Sequence, residues 1–181
     1  MSRPLPKVRA ASWYHAVNRG VERAVLFATS KARDDFVRTL GEIAYTFPVE
    51  IHAYCAMQNH YHLLARAEES DLRRALVRLD AACSLTTAGA RLRCMRFGRH
   101  LIRVTRYIHR NPVAAGLVPR PEHWRWSSYR SYVDPLQAPS WLRSESVLGC
   151  LGSIGGRQRY RRYVEDGPRA FDRRDNRSLP T

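Results

Sequence analysis

At 181 residues the chain has room for one domain of ordinary size plus an appendage, and a 44% hydrophobic content excludes wholesale disorder. Its charge is lopsided: Lys+Arg 31 against Asp+Glu 16 gives +15, and only Lys7 and Lys31 are lysines. Arginine grips phosphate through a planar two-point fork, so the partner this composition favours is a polyanion such as DNA or RNA. Part of the arginine bias fits a GC-rich genome, which would not explain the net charge. The four cysteines, Cys55, Cys83, Cys94 and Cys150, have no C-x-x-C spacing, which argues against a structural zinc site or a secreted disulfide framework. With no apolar leader and no run of 18 apolar residues, the expectation is a soluble cytoplasmic protein working on the nucleoid, without a membrane partner.

Residues 1–11 read as a short basic arm. Ser12 to Arg19, closed by Gly20, reads as a first strand. Phe36, Leu40, Ile43 and Ala44 recur at helical spacing, which predicts a helix over Lys31–Phe47 ended by Pro48. Val49 to Met57 alternates with period two, a half-buried strand with Val49, Ile51, Ala53, Cys55 and Met57 on one face. Gln58-Asn59 turns the chain, and His60 to Arg66 returns beside it. Ser70-Asp71 is a candidate cap for a second helix with Leu72, Leu76 and Leu79 as its buried stripe. Strand, helix, strand, strand, helix opens a ferredoxin-like α+β unit, an antiparallel sheet with packed helices. A fourth strand is due next, and Arg91 to Phe97 supplies only a shortened candidate. Arg99 to Asn111 is helical again, with Pro112 as the expected stop. Beyond it lie Trp124, Trp126 and Trp141 and a basic stretch, Arg157 to Tyr163, read as a last helix. The expected division is a domain over 1–135 and a basic, partly helical extension over 136–181 with a fraying tail.

Chemistry concentrates in two places. On a strand, His60 and His62 project from one face, where two imidazoles can share a divalent cation, although an H-x-H arises readily by chance. On the 99–111 helix, Leu101, Val104 and Ile108 form the apolar stripe, while Tyr107 and Asn111 stack one turn apart. Arg96, Arg99, Arg103, Arg106 and Arg110 cover the rest of that region. From Asp80 to Glu122 eight arginines occur with no acidic residue between those two. A solvated face normally mixes both signs, so phosphates are the missing counter-charge. By helix pattern alone, Tyr107 fits an amphipathic residue at a core margin equally well.

These residues resemble a known family. His60-Tyr61-His62 is similar to the HUH motif. The run from Tyr107 to Tyr129, YIHRNPVAAGLVPRPEHWRWSSY, resembles the signature of REP-associated tyrosine transposases, within the single-tyrosine HUH superfamily. HAVNRG (His15 to Gly20) and IHAYCAMQNHYHLL (Ile51 to Leu64) extend the likeness to roughly residues 12–133. It implies that His60, His62 and Asn111 hold a divalent metal, Mg²⁺ or Mn²⁺, and that Tyr107 is the nucleophile. The implied reaction is cleavage and rejoining of single-stranded DNA at hairpin-forming repeats through a 5′-phosphotyrosine, by a monomer or a homodimer. Arg103 and Arg110 are the candidates to stabilise the phenolate. Arg96, Arg99, Arg103, Arg106, Arg110, Arg73 and Arg74 are candidates for DNA binding, with Arg78 and Arg157 to Arg162 further out. The chain departs from the family in Gln58, where proline is usual, in Tyr61, where Val or Ile is usual, and in a shorter stretch between His62 and Tyr107. The alternatives are a non-catalytic protein that binds structured DNA or RNA and a metal-dependent phosphodiesterase that uses water.

Overall fold

Alternating side chains on three strands build two cores on opposite faces of one sheet. The computed structural model describes residues 11–152 and 154–166, so nearly all of the basic arm, and the tail from 167, lie outside the described residues. Strands β1 (Ser12–Arg19), β2 (Glu50–Ala56), β3 (His60–Ala67) and β4 (Arg91–Met95) form an antiparallel sheet in the order β2-β3-β1-β4. The fold class is the expected ferredoxin-like α+β arrangement, with the shortened fourth strand on the sheet edge beside β1.

Helices α1 (Ser30–Thr46) and α2 (Glu69–Ala82) cover one face. Phe36, Leu40 and Ile43 of α1 and Leu72, Ala75, Leu76 and Leu79 of α2 pack there against Tyr14, Ala16, Tyr61, Leu63 and Ala65. The start of α1 is capped by the Thr29 hydroxyl, which accepts from the Ala32 amide at 3.1 Å. The cap expected of Ser70-Asp71 is not used: α2 begins at Glu69, and the Ser70 hydroxyl donates to the Glu68 carboxylate instead.

A polar knot lies under this face. The Tyr61 hydroxyl donates to Asp80 Oδ1 at 2.9 Å, while Asn18 Nδ2 and Thr87 Oγ1 reach Asp80 Oδ2 at 2.6 and 2.9 Å. It binds β1, β3, α2 and the loop after α2 together. It also accounts for a tyrosine at the middle of the histidine motif, since a buried phenol needs a polar partner. Burial raises the Asp80 carboxyl above its usual range, against the pull of its three donors.

Helix α3 (Arg99–Ala114) lies on the other face, with Leu101, Ile102 and Ile108 packed against Trp13, Ala53, Cys55 and Leu64. It runs through Pro112 rather than stopping before it. A proline in the final turn removes one hydrogen bond and crowds one carbonyl, while its buried ring adds packing. The end comes at Gly116, where φ of 69° and the Leu117 amide donating to the Pro112 carbonyl close a glycine-type cap.

Strand β2 departs from simple alternation. Ile51 pairs with Ala65 and Ala53 with Leu64, so His52 is an extra residue, a bulge. Val49, Ile51, Tyr54 and Ala56 therefore face α1 and α2, while Ala53, Cys55 and Met57 face α3. The strand is buried on both faces rather than half-buried, and its outer edge is covered too. Ser128 and Trp126 bond to Tyr54 and Ala56, and the Arg143 amide donates to Ile51 O at 2.8 Å. Trp124 Nε1 donates to Ala56 O at 2.9 Å, which pins this return segment on the sheet.

The remaining helices, α4 (Tyr129–Val133), α5 (Glu145–Leu148) and α6 (Gly156–Glu165), join the α3 core through Tyr129, Tyr132, Val147, Leu148, Tyr160 and Val164. His109 of α3 sits inside it, between the Tyr160 hydroxyl at 2.6 Å and the Ser128 hydroxyl at 2.8 Å. Full burial pushes its imidazole down to about 3.

The polar knot gives a stability order. Tyr61→Phe removes one donor and is expected to destabilise by about 1 kcal/mol. Asp80→Ala leaves the Tyr61 and Thr87 hydroxyls without their acceptor, while Asn18 Nδ2 keeps Thr87 Oγ1 and the Tyr61 hydroxyl, and should cost about 2–3 kcal/mol. Urea unfolding of both variants measures the difference, and equal losses would remove Asp80 from its central place.

Candidate active site

The α3 face of the sheet carries the histidines. On β3, His60, His62 and Leu64 point toward α3 while Tyr61 and Leu63 point away, the alternation the motif implies. On β1, Val17 is opposite His62, Arg19 opposite His60, and His15 opposite Leu64. His15 is thus a diagonal neighbour of His62, and their rings stack with centroids 5.3 Å apart. His15 Nε2 and His62 Nδ1 are 3.1 Å apart, within hydrogen-bond reach. On β4, Arg93 lies opposite His15 and Arg91 opposite Val17.

Helix α3 brings Tyr107 over this surface. Its ring centroid is 5.3 Å from that of His62 and 6.0 Å from that of His15, edge-on to both. Tyr107 as a residue is 53% exposed and lines the depression beside the site. Asn111, one turn on, donates from Nδ2 to the Tyr107 carbonyl at 3.0 Å.

The imidazoles are held neutral. Burial, then the nearby Arg19, takes His60 down to about 4. Burial takes His62 down to about 2, helped by His15, His60 and Arg19 and opposed by the adjacent Asn111 amide. Burial, then Arg93, takes His15 to about 4. Neutral imidazole is the form that ligates metals. His60 Nδ1 lies 2.8 Å from Asn59 Oδ1, which can only accept, so the proton sits on Nδ1 and Nε2 keeps its lone pair. His62 Nε2 is buried without a hydrogen-bond partner. Among the described residues, no three His, Cys, Asp or Glu side chains converge as a metal cluster. What is assembled is a pair of imidazoles with an amide.

The structure therefore gathers His60, His62, Tyr107 and Asn111 at one place. The arginines divide. Arg103, Arg106 and Arg110 line, with Tyr107, Asn111, Ala114 and Tyr163, a depression of about 410 Å³ beside the site. Within it, Arg106 Nε donates to the Tyr163 carbonyl at 2.8 Å and Arg110 Nη1 to the Val164 carbonyl at 2.7 Å. Both therefore satisfy the terminal carbonyls of α6 and clamp it to α3. Arg96 and Arg99 are exposed near the start of α3. Arg73 and Arg74 lie on α2, on the opposite face of the sheet from the histidines, paired with Glu69 and Asp71 at 2.6 and 3.2 Å.

His15, Arg19, Arg91 and Arg93 share the histidine face, yet none was singled out from sequence. His15 and Arg19 belong to the HAVNRG stretch, whose alternation puts them on one side. The pairing that sets that side beside His60 and His62 joins strands far apart in the chain. Arg91 and Arg93 alternate within a short strand whose arginine-rich sequence marks no buried face.

Residues 9–86 match the family model described as "Transposase IS200 like". No curated protein matches significantly in sequence. Among solved structures, a REP-associated tyrosine transposase bound to a REP hairpin is similar, with a TM-score of 0.58 and 20% identity. The match covers 79% of this chain and 92% of that one. That likeness concerns the fold; no helix among the described residues is long and apolar enough to cross a membrane.

The arginine clamp is testable by stability. Arg106→Ala and Arg110→Ala should each lower unfolding free energy by about 1–2 kcal/mol, the worth of a partly buried charged hydrogen bond. Thermal or urea unfolding checks it, and unchanged midpoints would leave α6 held by its tyrosines alone.

Proposed function

We propose, for a chain that resembles the IS200-like transposases over residues 9–86 and shares the fold of a REP-associated tyrosine transposase, that it cuts and rejoins single-stranded DNA at hairpin-forming repeats through Tyr107. The observation that carries this reading is the exposed Tyr107 ring 5.3 Å from His62, above a face that also holds His60 and Asn111.

The donor set fits a divalent metal. His60 and His62 each have Nδ1 engaged, by Asn59 and by His15, which leaves both Nε2 atoms as the ligating positions. The orphaned His62 Nε2 is the kind of buried polar atom an ion satisfies. With Nδ2 turned to the Tyr107 carbonyl, Asn111 keeps its amide oxygen as the third donor. Two imidazoles, an amide oxygen and open positions suit Mn²⁺ at least as well as Mg²⁺. Such an ion would polarise the scissile phosphate and offset charge growing on its oxygens.

The rest falls to the protein. Tyr107 Oη forms a bond to phosphorus as the bond to the 3′ oxygen breaks. The phenolic proton departs, the leaving 3′ oxygen takes one up, and a phosphotyrosine on the 5′ end remains with a free 3′-hydroxyl. One ester replaces another, so the reverse attack by a 3′-hydroxyl rejoins DNA without a nucleotide cofactor. Tyr107 lies beside the imidazoles of its own chain, so the reading needs no second protomer to complete the site. Arg19, Arg91 and Arg93 line the same sheet face and supply positive charge along the path a strand would take.

Incubation with a hairpin-bearing oligonucleotide and Mn²⁺ should yield a covalent protein–DNA adduct on a denaturing gel, absent with chelator and absent in Tyr107→Phe. Cleavage that persists in Tyr107→Phe would replace this reading by hydrolysis with water, and salt-sensitive binding without any adduct would leave a binding protein of transposase ancestry. In binding assays, Arg19→Ala, Arg91→Ala and Arg93→Ala should each lower the slope of log affinity against log salt by about 0.7, one single-strand phosphate contact. Arg73→Ala and Arg74→Ala serve as controls expected to leave it unchanged.

A further inference from the structure

The pairing of His15 with His62 bears on which nitrogen of His62 faces the site. A neutral imidazole carries one N–H and one lone pair, so a hydrogen bond made by one nitrogen decides what the other presents. Between His15 Nε2 and His62 Nδ1, 3.1 Å apart, a single proton is shared out in one of two ways. If His15 donates, the remaining proton of His62 sits on Nε2, which then cannot ligate. If His62 donates, Nε2 presents a lone pair.

We propose that His15 is a positioning residue that accepts from His62 Nδ1–H and so keeps His62 Nε2 as a lone pair aimed at the site. Three observations carry it. The neighbouring His60 is held in the same sense, because Asn59 Oδ1 at 2.8 Å can only accept from its Nδ1. The Asn111 amide lies near His62 yet makes no hydrogen bond with its buried Nε2, so a proton placed there would be an unsatisfied donor, the less tolerated kind of orphan. The ring stack, at 5.3 Å between centroids and 20° between planes, holds the two imidazoles in register across strands whose pairing is fixed by backbone hydrogen bonds. The role also explains why a half-buried histidine sits on β1 toward α3, where the rest of that face is apolar or basic. It rests on the metal reading for its purpose, although the proton's position belongs to the metal-free protein.

Two measurements test it separately from that reading. A long-range ¹H–¹⁵N spectrum of histidine-labelled, metal-free protein should show the His62 proton on Nδ1, and a proton on Nε2 overturns the proposal whether or not a metal binds. Mn²⁺ titration followed by electron paramagnetic resonance should show about 10–100-fold weaker binding in His15→Leu, the usual effect of removing the partner of a ligating histidine. His15→Gln, whose amide oxygen reaches the position of Nε2 and accepts, should restore affinity to within a few-fold. Equal affinity in wild type and a folded His15→Leu overturns the role, as does a loss of the same size in Gln and Leu. Should His15→Leu not fold, the spectrum and the Gln variant decide. Wild type that binds no Mn²⁺ while His62 carries its proton on Nδ1 would refute the metal reading alone.

Discussion

The site depends on strand β3 keeping its pleat fixed between two unlike surroundings. On one side Tyr61 is buried and bonded to Asp80, and on the other His60 and His62 face α3. A slip by one residue would drive both imidazoles into the α1–α2 core and expose the phenol, so the Tyr61–Asp80 contact guards the register as well as adding stability. The same carboxylate holds Asn18 of β1. The strand that brings His15 to His62 is therefore tied down by the acid that anchors the middle of the motif.

The opposite layer fixes α3. Its apolar stripe lies on the sheet, its His109 is gripped by Tyr160 and Ser128, and Arg106 and Arg110 close the end of α6. Residues beyond 135 thus share the core that seats Tyr107: Val147, Leu148, Tyr160 and Val164 pack with Leu101 and Ile108. Two of the arginines on the helix beside Tyr107 serve this docking. Basic composition alone does not separate a phosphate ligand from a carbonyl clamp.

Much of this was legible because local period and spacing carry it. The bounds of β1, the β2–β3 hairpin, the burial of Leu101 and Ile108 on α3 and the sharing of one face by His60 and His62 follow from alternation and helical repeat, while Val104 of the expected stripe lies at its margin and Ile102 and Thr105 are buried instead. The proximity of Tyr107 to that face followed from the resemblance. What escaped was set by contacts between distant segments. The bulge at His52 appears only when β2 is laid on β3, and it parts Val49 and Ile51 from Ala53, Cys55 and Met57, which simple alternation puts on one face. Pro112 reads as a stop by its own chemistry, yet packing and the Gly116 cap carry the helix past it. Arg73 and Arg74 looked like part of a basic surface because sequence does not say which side of the sheet α2 covers. His15 was hidden for a similar reason, since β1 meets β3 only across an intervening helix and hairpin.

Strand β4 leaves one margin of the sheet open among the described residues, with five residues in which Arg91 and Arg93 flank Leu92. An unpaired strand invites a like strand from another molecule, but antiparallel docking of two such margins would crowd guanidinium groups against one another. Charge thus opposes edge-to-edge pairing here, and only while those groups stay uncompensated. A bound polyanion that neutralised them would withdraw the repulsion, so crowded protein–polyanion mixtures, rather than the protein alone, are where this margin becomes adhesive.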